Sequence, residues 1–237
     1  MTGLLLTLLR ALFPPACPLC QHTLSADCSV YAFCPDCAAA VTPLPQGHCP
    51  LCALPFTAAQ GSSHLCGRCL KKPPAYSKVY CCGLYQYSLR QAIHKFKFSG
   101  GVALDRTLGR MLAAAIDCGW RPDLVVPVPL EQQRLRQRGY NQALLLAREL
   151  ARRLGSACDQ QILRKTRATA AQHELPAQTR RSNLAGVFAA GSALQEQKVL
   201  LVDDVMTTGA TVDACSRTLM EAGAAEVRVV VLARSPL

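Results

Sequence analysis

The stretch Val199-Leu200-Leu201-Val202-Asp203-Asp204-Val205-Met206-Thr207-Thr208-Gly209-Ala210-Thr211 decides the fold. Four consecutive large apolar residues, without alternation, read as a strand buried on both faces, as in a parallel sheet. A polar turn of small residues follows, and then a helix from about Val212 to Ala222, stopped by Gly223. In open α/β sheets the ligand sits beyond the carboxyl ends of the strands, where such a turn lies. Small residues feeding a helix present backbone N–H groups and a positive dipole end, which together make a seat for phosphate. Gly209 lets the chain wrap closely, and the hydroxyls of Thr207, Thr208 and Thr211 add donors. Asp203 and Asp204 would repel a lone phosphate. They make sense as acceptors for sugar hydroxyls beside it.

Outward from this segment, strand and helix alternate. Leu124–Val128 and Val227–Leu232 are further unalternating apolar runs, the first ending irregularly at Pro127 and Pro129. Helical spacing of apolar residues predicts helices over 89–98, 104–117 and 141–154, the last stopped by Gly155. Gly83–Tyr87 reads as a short strand. Residues 161–183 are polar and basic, a loop long enough to act as a lid over a site. Strands of this kind separated by helices predict an α/β body, a parallel sheet covered on both faces.

The amino-terminal third has different punctuation. Cys17/Cys20, Cys34/Cys37, Cys49/Cys52 and Cys66/Cys69 form four C-x-x-C pairs, and the first four cysteines map onto the second four by adding 32. This is an internal duplication of a C-x2-C-x13-C-x2-C unit. Tight turns such as Cys17-Pro18-Leu19-Cys20 can present both sulfurs to one ion, and Zn²⁺ takes four thiolates in a tetrahedron. Two tandem zinc ribbons are therefore expected, with sequential and interleaved pairing both open. A closed four-thiolate site does no Lewis-acid chemistry, so function is sought elsewhere. His22, His48 and His64 are expected near the ions but not on them. Cys28, Cys81, Cys82, Cys118, Cys158 and Cys215 lack paired spacing and read as small apolar core residues. Lys71-Lys72-Pro73-Pro74 reads as a linker, giving a ribbon module over 1–78 and an α/β domain over 79–237.

Length, 237 residues, and 50% hydrophobic content permit a sizeable core. No apolar run reaches the ~18 residues of a membrane span. The run at Leu4–Leu9 has no preceding positive charge and is followed by Arg10, Pro14 and Pro15, which fits a short amphipathic helix better than a secretory leader. A cytoplasmic location with reduced thiols is the corresponding expectation. Lys and Arg exceed Asp and Glu by 11, and nine of those charges fall in 81–197, upstream of the diagnostic segment. A pyrophosphate or a nucleic-acid backbone calls for such a field. Aromatic residues are 5%, too few for extensive base stacking, although Tyr76, Tyr80, Tyr85 and Tyr87 cluster near the module junction.

Residues 199–211 resemble the phosphoribosyl-pyrophosphate (PRPP) signature of type I phosphoribosyltransferases at every position. With the cysteine duplication ahead, and with Arg134-x-x-x-Arg138-Gly139-Tyr140-Asn141-Gln142 and Thr169-x-x-Gln172 between, the whole chain resembles the ComF (GntX-like) family. That resemblance implies a double zinc ribbon joined to a type I phosphoribosyltransferase domain, and an association with competence, DNA uptake or DNA utilisation. It marks Asp203 and Asp204 as the catalytic-site pair on the ribose hydroxyls. It places the 5-phosphate on Thr207, Thr208, Gly209, Ala210 and Thr211, and the pyrophosphate loop at Val128-Pro129-Leu130. It makes residues 164–183 a hood bringing Arg164, Lys165, Arg167 or Arg180/Arg181 to the pyrophosphate. Lys97 and Arg138 are the further cations selected. Mg²⁺ would accompany PRPP, and an unspecified acceptor would displace pyrophosphate at C1 of the ribose. Three readings remain open: an active transferase; a PRPP-sensing accessory protein that contacts single- or double-stranded DNA or competence proteins; and a structural adaptor.

Overall fold

The structure, a computed structural model, describes residues 14–24, 33–56, 62–98, 104–166 and 186–236. Expectations for the amino-terminal helix, Cys28, Arg167, Thr169, Gln172, Arg180 and Arg181 lie outside the described residues. The elements run α1 (Pro35–Ala39), α2 (Gly67–Lys71), β1 (Lys78–Leu84), α3 (Tyr87–Phe98), α4 (Asp105–Ala115), β2 (Leu124–Pro127), α5 (Gln132–Arg138), α6 (Gln142–Leu154), β3 (Ala157–Cys158), β4 (Leu163–Lys165), β5 (Phe188–Ala190), β6 (Lys198–Met206), α7 (Ala210–Glu221) and β7 (Glu226–Arg234).

Five strands form a parallel sheet in the order β1-β7-β6-β2-β3. The unalternating apolar runs have the expected physical basis. Val199 and Leu201 of β6, with Val227, Val229 and Val231 of β7, enter a core on one face. Leu200, Val202, Val230 and Leu232 enter a second core on the other. Burial of such side chains stabilises by about 1.5–3 kcal/mol each, before conformational entropy is set against it. Helices α3, α4 and α6 cover the second face through Ile93, Phe96, Leu108, Leu112, Leu146 and Leu150, all fully buried. Helix α7 covers the first face through Val212, Cys215 and Leu219.

The two cysteine modules divide between these cores. Cys17 and Cys34 pack with the second-face core, whereas Cys49, Cys52, Cys66 and Cys69 pack with the first. Backbone bonds secure the approach: the Leu84 N–H donates to the Thr42 carbonyl at 2.9 Å. A Cβ at Gly83 would sit 2.4 Å from that carbonyl oxygen, so the close contact requires glycine.

Several local expectations need correction. The strand expected at Gly83–Tyr87 lies earlier, over 78–84, and Tyr87 already begins α3. Pairing with β7 extends it backward through Val79, Tyr80 and Cys81. Strand β6 does not stop at Val202 but carries both aspartates and runs to Met206, because β7 continues to pair beside it as far as Arg234. Of the remaining cysteines among the described residues, only Cys215 is fully buried; Cys81, Cys82 and Cys158 are half-buried. Cys118 is exposed, because it lies in the Asp117–Gly119 turn between α4 and β2.

Candidate functional site

At the carboxyl end of β6, Gly209 adopts the left-handed conformation, with φ +77°, and opens α7. Gly209 has no side chain to cap the helix, and the Thr208 hydroxyl accepts from the Ala210 N–H at 3.3 Å. Asp203 and residues 205–212 enclose a cavity of about 40 Å³. Backbone N–H groups and a helix N-terminus around a recess of that kind suit an anion.

The recess opens beside a larger cavity of about 360 Å³, lined by Asp203, Asp204, Thr207 and Thr211 from this segment. Val128, Pro129 and Leu130, beyond the end of β2, form another wall. Asn141 fixes that wall: its side-chain N–H donates to the Val128 carbonyl at 3.1 Å, while its oxygen caps α6 through the Ala143 N–H. The neighbouring motif residues serve the same wall. Gly139 ends α5 at φ +80°, and the Tyr140 hydroxyl donates to the Phe96 carbonyl.

The cations come from elements distant in sequence. Lys97, on the last turn of α3, lies 2.9 Å from Asp204. Arg138 stacks on Phe98 at 4.7 Å from the ring centroid and lines the cavity with Arg134. Lys165 also lines it, 3.6 Å from Glu131, which approaches Arg134 at 4.0 Å. Four cations therefore face three carboxylates. Desolvation, then the neighbouring Asp204, pushes the Asp203 carboxyl up to about 7; the backbone N–H of Asp204 and the charge of Lys97 oppose the rise. Gln142 also lines this cavity, and its buried side-chain amide nitrogen has no hydrogen-bond partner. An unmet buried donor on a cavity-lining residue marks a place for a polar ligand.

The structure thus brings together Lys97, Val128, Pro129, Leu130, Arg138, Asp203, Asp204 and the 207–211 turn. It does not bring Arg164 among them. Lys165 lines both this site and the adjacent cavity beside Pro129, Tyr140 and Gln160, whereas Arg164 lines the adjacent one. Glu131 carries no sequence signal, since α5 and its approach, Glu131-Gln132-Gln133-Arg134, lack apolar periodicity; Gln142 stands in the quoted motif, but nothing in it marks the side chain as part of the site. Of the tyrosines at the junction, Tyr76 and Tyr80 are buried, which removes them as stacking platforms.

The cysteines settle into sequential tetrads, Cys17/Cys20/Cys34/Cys37 and Cys49/Cys52/Cys66/Cys69, whose sulfurs lie within 4.8 Å of one another. A tetrahedron with Zn–S of about 2.3 Å has S···S edges of about 3.8 Å. The Cys20–Cys34 and Cys52–Cys66 separations are 3.6 and 3.7 Å, so the ion fits both tetrads. The duplication is repeated in the backbone. Cys17 N–H donates to the His22 carbonyl and Cys49 N–H to that of Leu54; Gln21 and Ala53, 32 residues apart, both take positive φ. Burial works to raise the Cys49 thiol, but backbone N–H groups of the knuckles outweigh it and bring it down to about 7, favouring a thiolate ligand. His48 spends Nδ1 on the Pro45 carbonyl and His64 stacks on Phe56. Neither histidine joins a tetrad.

Residues 140–236 match the phosphoribosyl transferase domain family, and residues 8–70 match the double zinc ribbon domain family. The chain is 38% identical over 229 residues to the DNA utilization protein YhgH of Escherichia coli K12, covering 94% of this chain and 98% of that protein. It is 36% identical over 195 residues to Competence protein F of Haemophilus influenzae, covering 78% of this chain and 85% of that one. Among solved structures, the B. subtilis glutamine PRPP amidotransferase complexed with ADP and GMP aligns over 58% of this chain and 30% of its own, at 23% identity and a TM-score of 0.41.

Proposed function

Because the chain belongs to the ComF family of double-zinc-ribbon, phosphoribosyltransferase-like proteins, we propose that it binds PRPP in the cavity at the end of β6. The observation that carries this reading is the convergence of Asp203, Asp204 and the 207–211 turn with Lys97, Arg134, Arg138 and Lys165 around one cavity. The turn would hold the 5-phosphate through its N–H groups. Asp203 and Asp204 would accept hydrogen bonds from the two ribose hydroxyls. Val128-Pro129-Leu130 would face the pyrophosphate, with Lys97, Arg138 and Lys165 balancing its charge, and residues 164–183, with Arg180, would serve as the hood that the family resemblance implies. The ribbon module over 1–78 and the domain over 79–237 are taken as the two working units.

Mg²⁺ bound with PRPP would supply charge neutralisation on the pyrophosphate oxygens. The chain's own residues would orient the sugar so that C1 meets an incoming acceptor on the face opposite the departing pyrophosphate. They would also stabilise charge as the C1–O bond to pyrophosphate breaks in an oxocarbenium-like transition state. Both tetrads would carry Zn²⁺ as structural ions. The names of the relatives and the net positive charge of residues 81–197 support an association with DNA handling.

Calorimetric titration of the zinc-loaded protein with Mg²⁺ and PRPP tests the reading. Saturable binding is expected, and Asp203→Asn/Asp204→Asn should weaken it by about two orders of magnitude, as loss of two charged acceptors implies. Equal binding by both proteins would refute the assignment. Pyrophosphate release that requires a nucleobase or amine would identify a transferase. Tight binding with no release under any acceptor would identify a PRPP-sensing accessory protein.

A further inference from the structure

Arg234 closes the apolar run Val229-Val230-Val231-Leu232-Ala233 at the end of β7, and it is fully buried. Its Nε donates to the Cys52 carbonyl at 3.1 Å. Its Nη1 donates to the Met206 carbonyl at 2.9 Å, to that of Thr207, and to that of Ser235 at 2.9 Å. Cys52 is a member of the second thiolate tetrad, and Met206 and Thr207 are where β6 becomes the 207–211 turn. One guanidinium therefore ties a metal knuckle to the rear of that turn.

Among the described residues, the hydrogen bonds of Arg234 all go to carbonyls and none goes to a carboxylate. A buried cation is several kcal/mol unfavourable unless an opposite charge lies close. Cys52 is its favourable electrostatic neighbour, and four thiolates around one Zn²⁺ retain excess negative charge. Its Nη2 is buried with no hydrogen-bond partner, as is the Tyr76 hydroxyl, which also senses Cys52 and Cys69. The same ribbon touches the turn a second time. A Cβ at Gly209 would lie 3.1 Å from the Arg68 Nη2 and 3.6 Å from the Tyr76 hydroxyl. Arg68 sits between the ligands Cys66 and Cys69. The Ala75 N–H, just beyond the ribbon, donates to Asp213 on the first turn of α7 at 2.9 Å.

We infer that Arg234 is a positioning residue through which the second thiolate centre sets the conformation of the 207–211 turn, so that metal occupancy of that centre governs how the turn receives a phosphate. The inference rests on reading the turn as the phosphate seat. It adds to that reading a control by the ribbon, which would otherwise be a passive structural module.

Backbone hydrogen exchange of residues 207–211 in the ligand-free full-length protein tests it, alongside zinc content and PRPP affinity. Arg234→Met is expected to keep two zinc ions per chain and wild-type protection in α6, to speed exchange at 207–211, and to weaken PRPP binding about tenfold or more, the scale of charge-assisted bonds lost. Arg234→Lys should recover part of both effects by keeping the cation. Cys69→Ser, which disables the second centre, should speed exchange at the same residues. Wild-type exchange at 207–211 in Arg234→Met and Cys69→Ser would overturn the inference, as would loss of protection spread equally over α6. Should Arg234→Met not fold, Cys69→Ser decides by the same readout. Faster exchange at 207–211 in these variants, with no PRPP binding by the parent protein, would uphold the coupling and sink the ligand assignment.

Discussion

Asp203→Asn should make the ligand-free protein more stable, and only at higher pH. The carboxyl rises from an ordinary 3.8 to about 7 because burial and Asp204 disfavour its charged form. Between those values the unfolded chain has released a proton that the folded chain retains. Stability contributed by this group is therefore present at low pH and falls as pH rises toward 7. Full ionisation would correspond to about 4 kcal/mol at 1.36 kcal/mol per unit. Relaxation and water entry at the strand end reduce this, so about 1–3 kcal/mol is expected. Urea unfolding of both proteins in zinc-replete, magnesium-free buffer measures it. The variant should gain this amount at about pH 8 and almost nothing at about pH 4. A variant no more stable than the parent at about pH 8, or a gain independent of pH, would refute the reasoning. A carboxylate held at such cost to folding, beside a second one, is the signature of a binding site rather than of a structural cap.

Other perturbations follow from the same geometry. Gly209→Ala would force a Cβ to 2.4 Å from Met206 Cε at φ +77°; calorimetry should show PRPP binding lost while thermal stability falls by only about 1–2 kcal/mol. Lys97→Met removes the cation 2.9 Å from Asp204 and the charge that lowers the Asp203 pKa. The pH at which PRPP affinity rises should shift upward, in a titration series compared with the parent. Metal analysis should find two zinc ions per chain, and their removal should lower the melting temperature, since one tetrad is integral to each core.

The sequence made the floor of this site legible because the floor is local. Strand, carboxylates, turn and helix lie within residues 198–221, and each has a one-dimensional signature. The tetrads were equally legible, since a duplication by 32 residues is visible without coordinates; only their sequential pairing needed three dimensions. The walls were less so. Helix α5 and its entry residue Glu131 carry no apolar period, and nothing in the three residues of β4 marks Lys165 rather than Arg164 as the one that lines the site. Lys97 and Arg138 could be singled out by charge, but their convergence on Asp204 and Phe98 is a tertiary fact. Arg234 was the least legible: a cation at the end of five apolar residues looks like a strand terminus reaching water. It is buried instead, because a thiolate centre from Cys49–Cys69 meets it there.

The most direct test of the central claim is a crystal structure of the zinc-loaded protein with Mg²⁺ and PRPP. The account predicts the 5-phosphate on the N–H groups of residues 207–211, the ribose hydroxyls on Asp203 and Asp204, and the pyrophosphate between Val128–Leu130 and Lys97. A donor bound instead behind α7, in the cavity of about 410 Å³ beside Arg68, Lys72 and Arg217, would contradict it. So would a saturating soak that leaves the end of β6 empty.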